Sequence, residues 1–490
     1  MWRDFIKEKA ESIPDHAAII DRIHHRSWSY AALEREIEAW TCWLYRQGVI
    51  KGDRVAYLAP NRLEHLTLFF ACAKLGAILV SLNHRLSPRE LAAIISHVEP
   101  RVLLGEGPPT FDSSFTWHDV LTLTRDNHDF ATIPRYEAAD EDPLLMLYTS
   151  GSTGDPKGVL FHARMLMANM EHTIGTGVLE PRDISIINTP FFHTGAYNVF
   201  TLPLLSIGGT MILFERFDPA GVLDAIRDDG VNVFWAVPTM FQAIHDHPRF
   251  AETDFSRIRV LLSGGAPLNL PLIRAYHEKG VPFKQGFGLT EVGPNCFLHQ
   301  TEDSWERPDS IGKPMPHSQT RIVNDQGKEV GINEVGELLL GGPHVCKGYW
   351  RDEKRFRESL RDGFFATGDL VRRDTEGFFY VVGRKKEMYI SGGENVFPGE
   401  VEKQLVAHPD IRQAVVVSVP DDKWTEVGFA WIVADREVDL ESLRTWLNPR
   451  LGRYKHPQHL ERIPELPLLA NGKIDRLALA DRAREKVGKG

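Results

Sequence analysis

Residues 148–159 read YTSGSTGDPKGV, after an apolar run that predicts a strand and before a helix predicted to begin near His162. The small residues let backbone N–H groups approach a polyanion, the hydroxyls can donate hydrogen bonds, and Lys157 adds positive charge. The run is not a Walker A loop, because Pro156 and Val159 stand where that motif requires glycine. Ser, Thr and Gly are also ordinary in surface loops, but this combination around one lysine favours phosphate binding.

On both sides of this loop, helical and strand-like patterns alternate up to about residue 380. Residues 30–47, after the capping residue Ser29, and residues 65–75 predict helices, and Ser87 followed by Pro88 opens another. Residues 106–140 have no sustained period and predict a variable connection. The alternation predicts α/β layers around mostly parallel strands. The strand-like runs lie at residues 54–58, 76–80, 184–188, 211–214, 231–236, 260–262 and 337–340.

A charged stretch with one glycine, residues 383–386, precedes a tail of about a hundred residues, a common domain size. The tail predicts helices at 401–406 and 440–451 and strands at 414–419 and 429–433. We therefore predict an α/β fold with a large multi-subdomain N-terminal α/β body, residues 1–385, and a small C-terminal α+β domain, residues 386–490.

The composition excludes several classes of protein. With 490 residues, 42% hydrophobic and 25% charged, the chain is globular in make-up and not disordered. A net charge of −10 gives no basic footprint for nucleic acid, and four widely spaced cysteines predict neither disulfides nor a zinc site. We expect a cytoplasmic protein, because the sequence has no signal-peptide pattern and no apolar run long enough to span a membrane.

Further short motifs accompany the phosphate loop in a fixed order. They are FFHTG at 191–195, SGGAP at 263–267, QGFGLTE at 285–291, GYW at 348–350, TGD at 367–369 with GR at 383–384, SGGEN at 391–395 and NGKIDR at 471–476. The series extends over residues 28–476 and resembles the adenylate-forming superfamily, which includes acyl-CoA synthetases, peptide-synthetase adenylation domains and luciferases. The tail from Lys386 onward is most similar to CoA ligases for fatty and aryl acids.

The resemblance implies an acid–thiol ligase that uses ATP, Mg²⁺ and coenzyme A. A carboxylate would attack the α-phosphate of ATP to give acyl-AMP and pyrophosphate, and the CoA thiol would then displace AMP after the mobile small domain rotates. Adenylation for a carrier protein is an alternative, and so is a nucleotide-binding regulator without catalysis, which the intact motif residues argue against. The basic segment 450–490, with ten Lys and Arg against five Asp and Glu, leaves CoA phosphate or peripheral membrane contact open. A homodimer is also left open.

The resemblance also assigns catalytic roles. Lys473 would bridge the attacking carboxylate and ATP, Glu291 would hold Mg²⁺, and Lys386 would be the hinge between the domains. The remaining catalytic residues implied are Thr290, His193 and Lys157. We do not expect His193 to be a general base, because a carboxylate nucleophile is already ionised at pH 7.

Three binding regions follow from the same resemblance. Phe287 stands where most relatives carry a tyrosine that stacks on adenine, and its ring keeps the stacking face. The implied ATP-binding residues are Thr149, Ser150, Gly151, Ser152, Thr153, Gly154, Lys157, Gly264, Gly265, Ala266, Gly286, Phe287, Gly288, Thr290, Asp369, Arg384 and Lys473. The implied acyl pocket, whose aromatic lining suits a medium chain or an aryl ring, comprises His193, Tyr197, Asn198, Phe234, Trp235 and Ala236. The implied CoA tunnel is lined by Gly392, Gly393 and Glu394.

Overall fold

The computed structural model describes residues 2–22, 24–111, 113–124, 133–149, 156–266, 268–469 and 473–488. The N-terminal helices include α1 (Phe5–Ser12), α2 (Tyr30–Arg46), α3 (Glu64–Leu75) and α4 (Pro88–Val98). The strands of this region include β1 (Ala17–Asp21), β2 (Arg26–Ser29), β3 (Arg54–Leu58), β4 (Ile78–Leu82), β5 (Val102–Gly105), β6 (Trp117–Asp119), β7 (Pro143–Thr149) and β8 (Lys157–His162). Ser29 caps α2 and Ser87 caps α4, as predicted, and Ser87 also forms a capping box with Glu90.

A seven-stranded sheet has the order Gly348–Tyr349, β8, β7, β4, β3, β5, β6. The five strands from β7 to β6 are parallel, whereas β8 and the 348–349 strand add antiparallel pairs at one edge. The phosphate loop therefore leads into a strand, β8, that the sequence patterns did not indicate. The expected variable connection was wrong for residues 117–119, which pair with β5.

The middle of the chain carries most of the predicted strands within two residues of their expected positions. Helices include α5 (Ala163–Gly175), α6 (Thr194–Asn198), α7 (Thr201–Ile207), α8 (Pro219–Asp228), α9 (Pro238–His245) and α10 (Leu270–Glu278). Strands include β9 (Ile184–Ile187), β10 (Thr210–Leu213), β11 (Val233–Ala236), β12 (Val260–Ser263), β13 (Phe283–Gln285), β14 (Phe287–Leu289) and β15 (Gly293–Leu298). Strands β9 and β10 complete a sheet ordered β2-β1-β10-β9, and β11 to β13 form a parallel sheet ordered β11-β12-β13. Strands β14 and β15 pair antiparallel in a separate sheet.

An antiparallel sheet completes the body. Residues 299–384 contain α11 (Thr301–Glu306), α12 (Glu353–Glu358), β16 (Lys313–Pro314), β17 (Gln319–Val323), β18 (Gly336–Gly341), β19 (Gly348–Tyr349), β20 (Leu360–Arg361), β21 (Phe364–Arg373) and β22 (Phe379–Arg384). The sheet order is β17-β18-β21-β20, with β22 paired to β21. This pairing places Asp369 directly opposite Arg384.

The C-terminal domain, called the cap below, is a sheet covered by helices on both faces. Its elements include β23 (Tyr389–Ser391), β24 (Glu394–Val396), α13 (Pro398–Val406), β25 (Ile411–Asp421), β26 (Thr425–Ala434), α14 (Leu440–Leu447), β27 (His459–Arg462) and α15 (Arg476–Val487). Helices α13 and α14 pack on one face through Leu405 and Leu443, and α15 packs on the other through Leu479. Among the described residues, no helix is long and apolar enough to cross a membrane.

Candidate active site

Three parallel strands end at one edge of the body, and glycine-containing segments follow them there. The carboxyl ends of β11, β12 and β13 lead to Val237, Gly264 and Gly286. A Cβ at Gly264 would lie 3.5 Å from the Gly286 carbonyl oxygen, and one at Gly265 would lie 3.7 Å from Val237. Ligands of open α/β sheets bind outside the carboxyl ends of the strands, so this edge is a candidate nucleotide site.

Phe287 and Gly288 extend this edge along β14. The Phe287 ring is partly exposed and packs edge-on against Phe297, with centroids 5.6 Å apart, which leaves part of the ring available for stacking. At Gly288 a Cβ would lie only 2.2 Å from the Gly293 carbonyl oxygen. Gly288 is therefore required by the approach of β15, whatever it also does for a ligand.

Asp369 and Arg384 form an ion pair across β21 and β22. The Arg384 Nε lies 2.7 Å from Asp369 Oδ1. The other carboxylate oxygen, Oδ2, is buried and has no hydrogen-bond partner among the described residues. Burial raises the pKa of Asp369 to about 6, with Arg384 opposing the rise. A buried, unsatisfied acceptor is costly, and the hydroxyls of a ribose would satisfy it.

Lys157, Glu291 and Tyr349 make a second polar cluster. Lys157 Nζ lies 2.5 Å from Glu291 Oε1 and donates a hydrogen bond to the Tyr349 hydroxyl at 2.7 Å. That hydroxyl donates to Glu291 Oε1 at 3.1 Å. No group of three or more His, Cys, Asp or Glu in the described part of the chain could hold a metal ion. One carboxylate next to a phosphate site nevertheless suits Mg²⁺, which commonly takes one or two protein carboxylates plus phosphate oxygens and water.

The phosphate loop itself is only partly described. Its residues Ser150, Gly151, Ser152, Thr153 and Gly154 lie outside the described residues. At its two ends, Thr149 closes β7 and Lys157 opens β8. The Thr149 hydroxyl is buried, and no hydrogen-bond partner for it is found in the described parts of the protein. The loop thus begins with an unsatisfied hydroxyl and ends with the lysine that contacts Glu291.

His193 lies at the N-terminus of α6, after the loop that follows β9. Its Nε2 is buried and has no hydrogen-bond partner in the described ranges. Burial, together with the positive charges of Lys473 and Arg85, lowers the pKa of His193 to about 3. The imidazole is therefore neutral at physiological pH and can contact a polar group without carrying charge.

Lys473 reaches this region from the cap. Its Cε lies 4.0 Å from the position that a Cβ would take at Gly265. Burial of the ammonium group lowers the pKa of Lys473, helped by Arg384 and opposed by Asp369 and Glu291. Its backbone carbonyl accepts from the Leu469 N–H at 2.7 Å. The cap loop therefore places this lysine among the body residues that the sequence motifs singled out.

The predicted hinge and tunnel residues are exposed. Lys386 is exposed just after β22, while Lys385 Nζ pairs with Asp325 and Glu337 of the body at 2.9 and 3.1 Å. Gly392, Gly393 and Glu394 form an exposed turn between β23 and β24. Both glycines have positive φ, 60° and 87°, and a Cβ on Gly392 would lie 2.7 Å from the Trp424 ring.

The predicted acyl-pocket residues divide into two groups. Trp235 lies against the start of α6, where a Cβ on Gly195 would meet the indole at 2.3 Å. Its neighbours Phe234 and Ala236 point to the opposite face of β11, into the apolar core around Phe241. Trp235 is therefore the residue of this strand that faces the His193 segment.

Hydrogen bonds within the protein hold Tyr197 and Asn198 in place. The Tyr197 hydroxyl is buried and lies 2.8 Å from the Ser81 hydroxyl. The Asn198 side chain donates to the Thr194 hydroxyl at 2.9 Å, and its backbone carbonyl accepts from Asn169 at 2.6 Å. These contacts account for the burial of both residues. The remaining predicted residues, Ala266 and Thr290, are exposed and partly exposed at the same edge as Gly264.

Two features of the site have no counterpart in the sequence predictions. Tyr349 belongs to the quoted GYW motif, but only the fold brings its hydroxyl to Lys157 and Glu291. A cavity of about 330 Å³ opens beside the His193 segment. Its lining residues are Pro60, Asn61, His84, Arg85, Asn188, Pro190, Glu215, Arg216, Phe217 and Met240. Most of these residues stand outside any of the motifs, so no local signal could have found them.

Comparison with known proteins places these residues in a wider context. Residues 6–350 match the profile of AMP-binding enzymes, and residues 400–473 match that of the AMP-binding enzyme C-terminal domain. The chain is 38% identical to a feruloyl-CoA synthase from Amycolatopsis sp., covering 91% of this chain and 92% of that protein. It is 35% identical to an indoleacetate–CoA ligase from Aromatoleum aromaticum, covering 96% of each.

Solved structures agree with these relatives. An o-succinylbenzoate CoA synthetase from Bacillus subtilis, in complex with its acyl-adenylate intermediate, superposes with a TM-score of 0.87 at 30% identity, covering 97% of both chains. The same synthetase has also been solved with ATP and a magnesium ion, with the same TM-score and 30% identity over 97% of this chain and 99% of that one. The mixed α/β body and separate C-terminal domain described above are therefore the architecture of these adenylate-forming enzymes.

Proposed function

The chain belongs to the AMP-binding enzyme family and is an AMP-forming acid–CoA ligase, and from this premise we propose that the acid it activates is aromatic. The observation that carries the proposal is the position of Trp235, whose indole fills the space over Gly195 beside His193. An aromatic wall at this position favours a flat ring over a long flexible chain. The feruloyl-CoA synthase and the indoleacetate–CoA ligase among the relatives support the same substrate class.

The first half-reaction joins the acid to AMP. The acid carboxylate attacks the α-phosphorus of ATP, its P–O bond to the acid forms, and pyrophosphate leaves with the electron pair of the broken bond. We assign Lys473 to the attacking carboxylate and the α-phosphate, Asp369 to the ribose hydroxyls, and His193 to the side of the acid. The positive charge of Lys473, held in place before the reaction, would stabilise the negative charge that develops on the phosphate oxygens in the transition state.

Metal and phosphate loop act together in this step. Glu291 would hold Mg²⁺, which supplies charge neutralisation on the phosphate oxygens. Since Lys157 is paired with Glu291 in the structure, its ammonium must exchange that carboxylate for phosphate oxygens when the nucleotide arrives. Thr149, Thr290 and the loop residues 150–154 are assigned as hydrogen-bond donors to the phosphates.

The second half-reaction transfers the acyl group to CoA. The CoA sulfur bonds to the acyl carbon, the acyl C–O bond to AMP breaks, AMP leaves with its electron pair, and the thiol proton passes to solvent. We assign the CoA approach to the 330 Å³ cavity beside His193, because Arg85 and Arg216 line it and CoA carries several phosphates. Gly392, Gly393 and Glu394 would line the thiol path after the cap, residues 386–490, turns about Lys386. We also propose that the enzyme is cytoplasmic, because both of its co-substrates, ATP and CoA, are available there.

A panel of carboxylic acids tests the substrate proposal. Cinnamic, phenylacetic and indoleacetic acids and saturated fatty acids of increasing length would be compared by pyrophosphate release, and each hit tested for a CoA thioester. We expect aryl acids to have the highest kcat/KM. A preference for long-chain fatty acids would refute the aromatic proposal. Pyrophosphate release without a CoA thioester would indicate transfer to another acceptor.

A further inference from the structure

The loop that carries His193 is held by one side chain from a distant part of the sequence. Asn61 follows β3, and its Nδ2 donates to the Thr189 carbonyl at 2.9 Å. Its Oδ1 accepts from the Phe191 N–H at 3.1 Å. Both hydrogen bonds are buried, and Asn61 itself is only 5% exposed.

The Asn61 carboxamide satisfies two backbone groups of this loop at once, which few other side chains could do. The two bonds reach backbone groups on either side of Pro190, which has no N–H of its own. Asparagine offers a donor and an acceptor from one planar group, whereas aspartate has no donor and alanine has neither. Without Asn61, a buried carbonyl and a buried N–H would both lose their partners.

The same loop continues directly to the imidazole. The backbone N–H of His193 donates to the Pro190 carbonyl at 3.0 Å. Pro190, which Asn61 holds through the residues on either side, therefore also anchors His193. Phe191 is further held by stacking on His65, with centroids 4.8 Å apart, and the His65 Nε2 lies 3.2 Å from the Pro60 carbonyl. Asn61, before α3, and His65, in its first turn, therefore hold the loop of residues 189–193 from one side.

We propose that Asn61 is a positioning residue for acyl-AMP formation, which holds the 189–193 loop so that the His193 imidazole stays beside the acid. The proposal rests on the role proposed above for His193. A side chain that orients a substrate-contacting residue affects the reaction rate, because a displacement of that residue by about 1 Å can lower the rate by up to about 10²-fold. Asn61 would therefore influence the acid far more than ATP.

Acid-dependent ATP–pyrophosphate exchange without CoA tests this role, since the CoA step is then absent. For Asn61→Ala we expect kcat/KM for the acid to fall about tenfold while the KM for ATP is unchanged. Asn61→Ser keeps a small neutral hydroxyl that can donate or accept, so it should show a smaller loss and serves if the alanine variant does not fold. The matched control is Asn232→Ala, because the Asn232 amide clamps the start of β9, bonding Asp183 and the Ile184 N–H, both at 2.8 Å.

A double-mutant cycle with His193→Ala separates positioning from general support. If Asn61 acts through His193, Asn61→Ala should add little further loss in the His193→Ala background. Losses that multiply would overturn the proposal, as would equal effects on acid and ATP or the same kinetics in Asn232→Ala. If His193→Ala alone leaves the acid parameters unchanged, the assigned role of His193 fails first and the Asn61 proposal fails with it.

Discussion

At Asp369, the proposed role in ATP binding and the stability of the protein oppose each other. Its pKa is raised from 3.8 to about 6 by burial, so between these values the folded protein binds a proton that the unfolded chain releases. Stability must therefore fall as pH rises through this window, and the ionised carboxylate destabilises the fold at neutral pH. The acid form, however, cannot accept from both the ribose and Arg384.

We expect Asp369→Asn to raise the KM for ATP about tenfold or more, because a charge-assisted acceptor is lost. Its Tm at pH 7.5 should be unchanged or higher than that of the wild type, since the buried charge is removed. In the wild type, the KM for ATP should rise as pH falls through about 6. Thermal unfolding and ATP kinetics over pH 5–8 measure both, and a Tm lowered by several degrees would contradict this account.

Lys473 should be needed for one half-reaction only. Lys473→Ala is expected to reduce acyl-AMP formation by about 10²-fold or more, the size of effect seen when one preorganised donor to a developing charge is removed. Thioester formation from supplied acyl-AMP should be spared, because the acyl phosphate bond is already made. Lys486→Ala, which removes an exposed cap lysine paired with Glu461, is the control. Equal loss of both steps would argue against the role.

At the scale of single elements, helix α3 is buried over almost its whole length and nevertheless contains a charged side chain. Every residue from His65 to Leu75 is buried, and Lys74 is among them. Its Nζ contacts Asp4 at 2.8 Å, Glu34 at 2.6 Å and Glu38 at 2.9 Å. The lysine thus ties α3 to α2 and to the N-terminal cap of α1.

Lys74→Met should destabilise the body by about 3–5 kcal/mol, because it leaves buried carboxylates without their cation. The loss should be smaller at pH 5 than at pH 8, since burial raises the pKa of Glu34 to about 7 and this carboxylate is neutralised at the lower pH. Urea unfolding at the two pH values measures it. Arg135→Ala removes only the half-exposed partner of Glu38 and should cost less. A Lys74→Met variant as stable as Arg135→Ala would refute the bridging role.

The strength of local signals explains which elements the sequence predicted. Apolar runs such as Val260–Ser263 are buried strands, and they were found within two residues. Strand β8 was missed because it begins at Lys157 and ends at His162, so its polar ends resemble a loop. Helix α14 ends at Leu447, earlier than predicted, because Pro449 has no N–H with which to continue the helical hydrogen bonds.

The site follows the same logic. Motifs located Lys157, Glu291 and Lys473, because the chemistry of these residues is visible in the sequence. The partners that hold motif residues in place come from distant segments: Asn61 lies 130 residues before Phe191, and Tyr349 lies 192 residues after Lys157. Such pairs depend on the register of strands and the path of the chain, which no local pattern contains.

For the whole molecule, we propose that the position of the cap decides which half-reaction the structure serves. Lys473 lies at the nucleotide edge of the body, and Lys385 is anchored to Asp325 and Glu337. The 392–394 turn is meanwhile exposed. We propose that this arrangement suits acyl-AMP formation, and that transfer to CoA requires Lys473 to leave this edge.

One ion pair between cap and body offers a test of that balance. Lys403 of α13 contacts Asp309 of the body at 2.6 Å, with both side chains partly exposed, so the pair contributes at most about 1 kcal/mol. Asp309→Asn should therefore slow acyl-AMP formation and speed thioester formation from supplied acyl-AMP, each by less than about fivefold. Because salt screens exposed charges, the difference from the wild type should vanish at about 1 M salt. Single-turnover measurement of each step at low and high salt checks this, with Glu353→Gln, which breaks an exposed pair inside the body, as control. A difference that persists at high salt, or equal slowing of both steps, would show that Asp309 does not hold the cap.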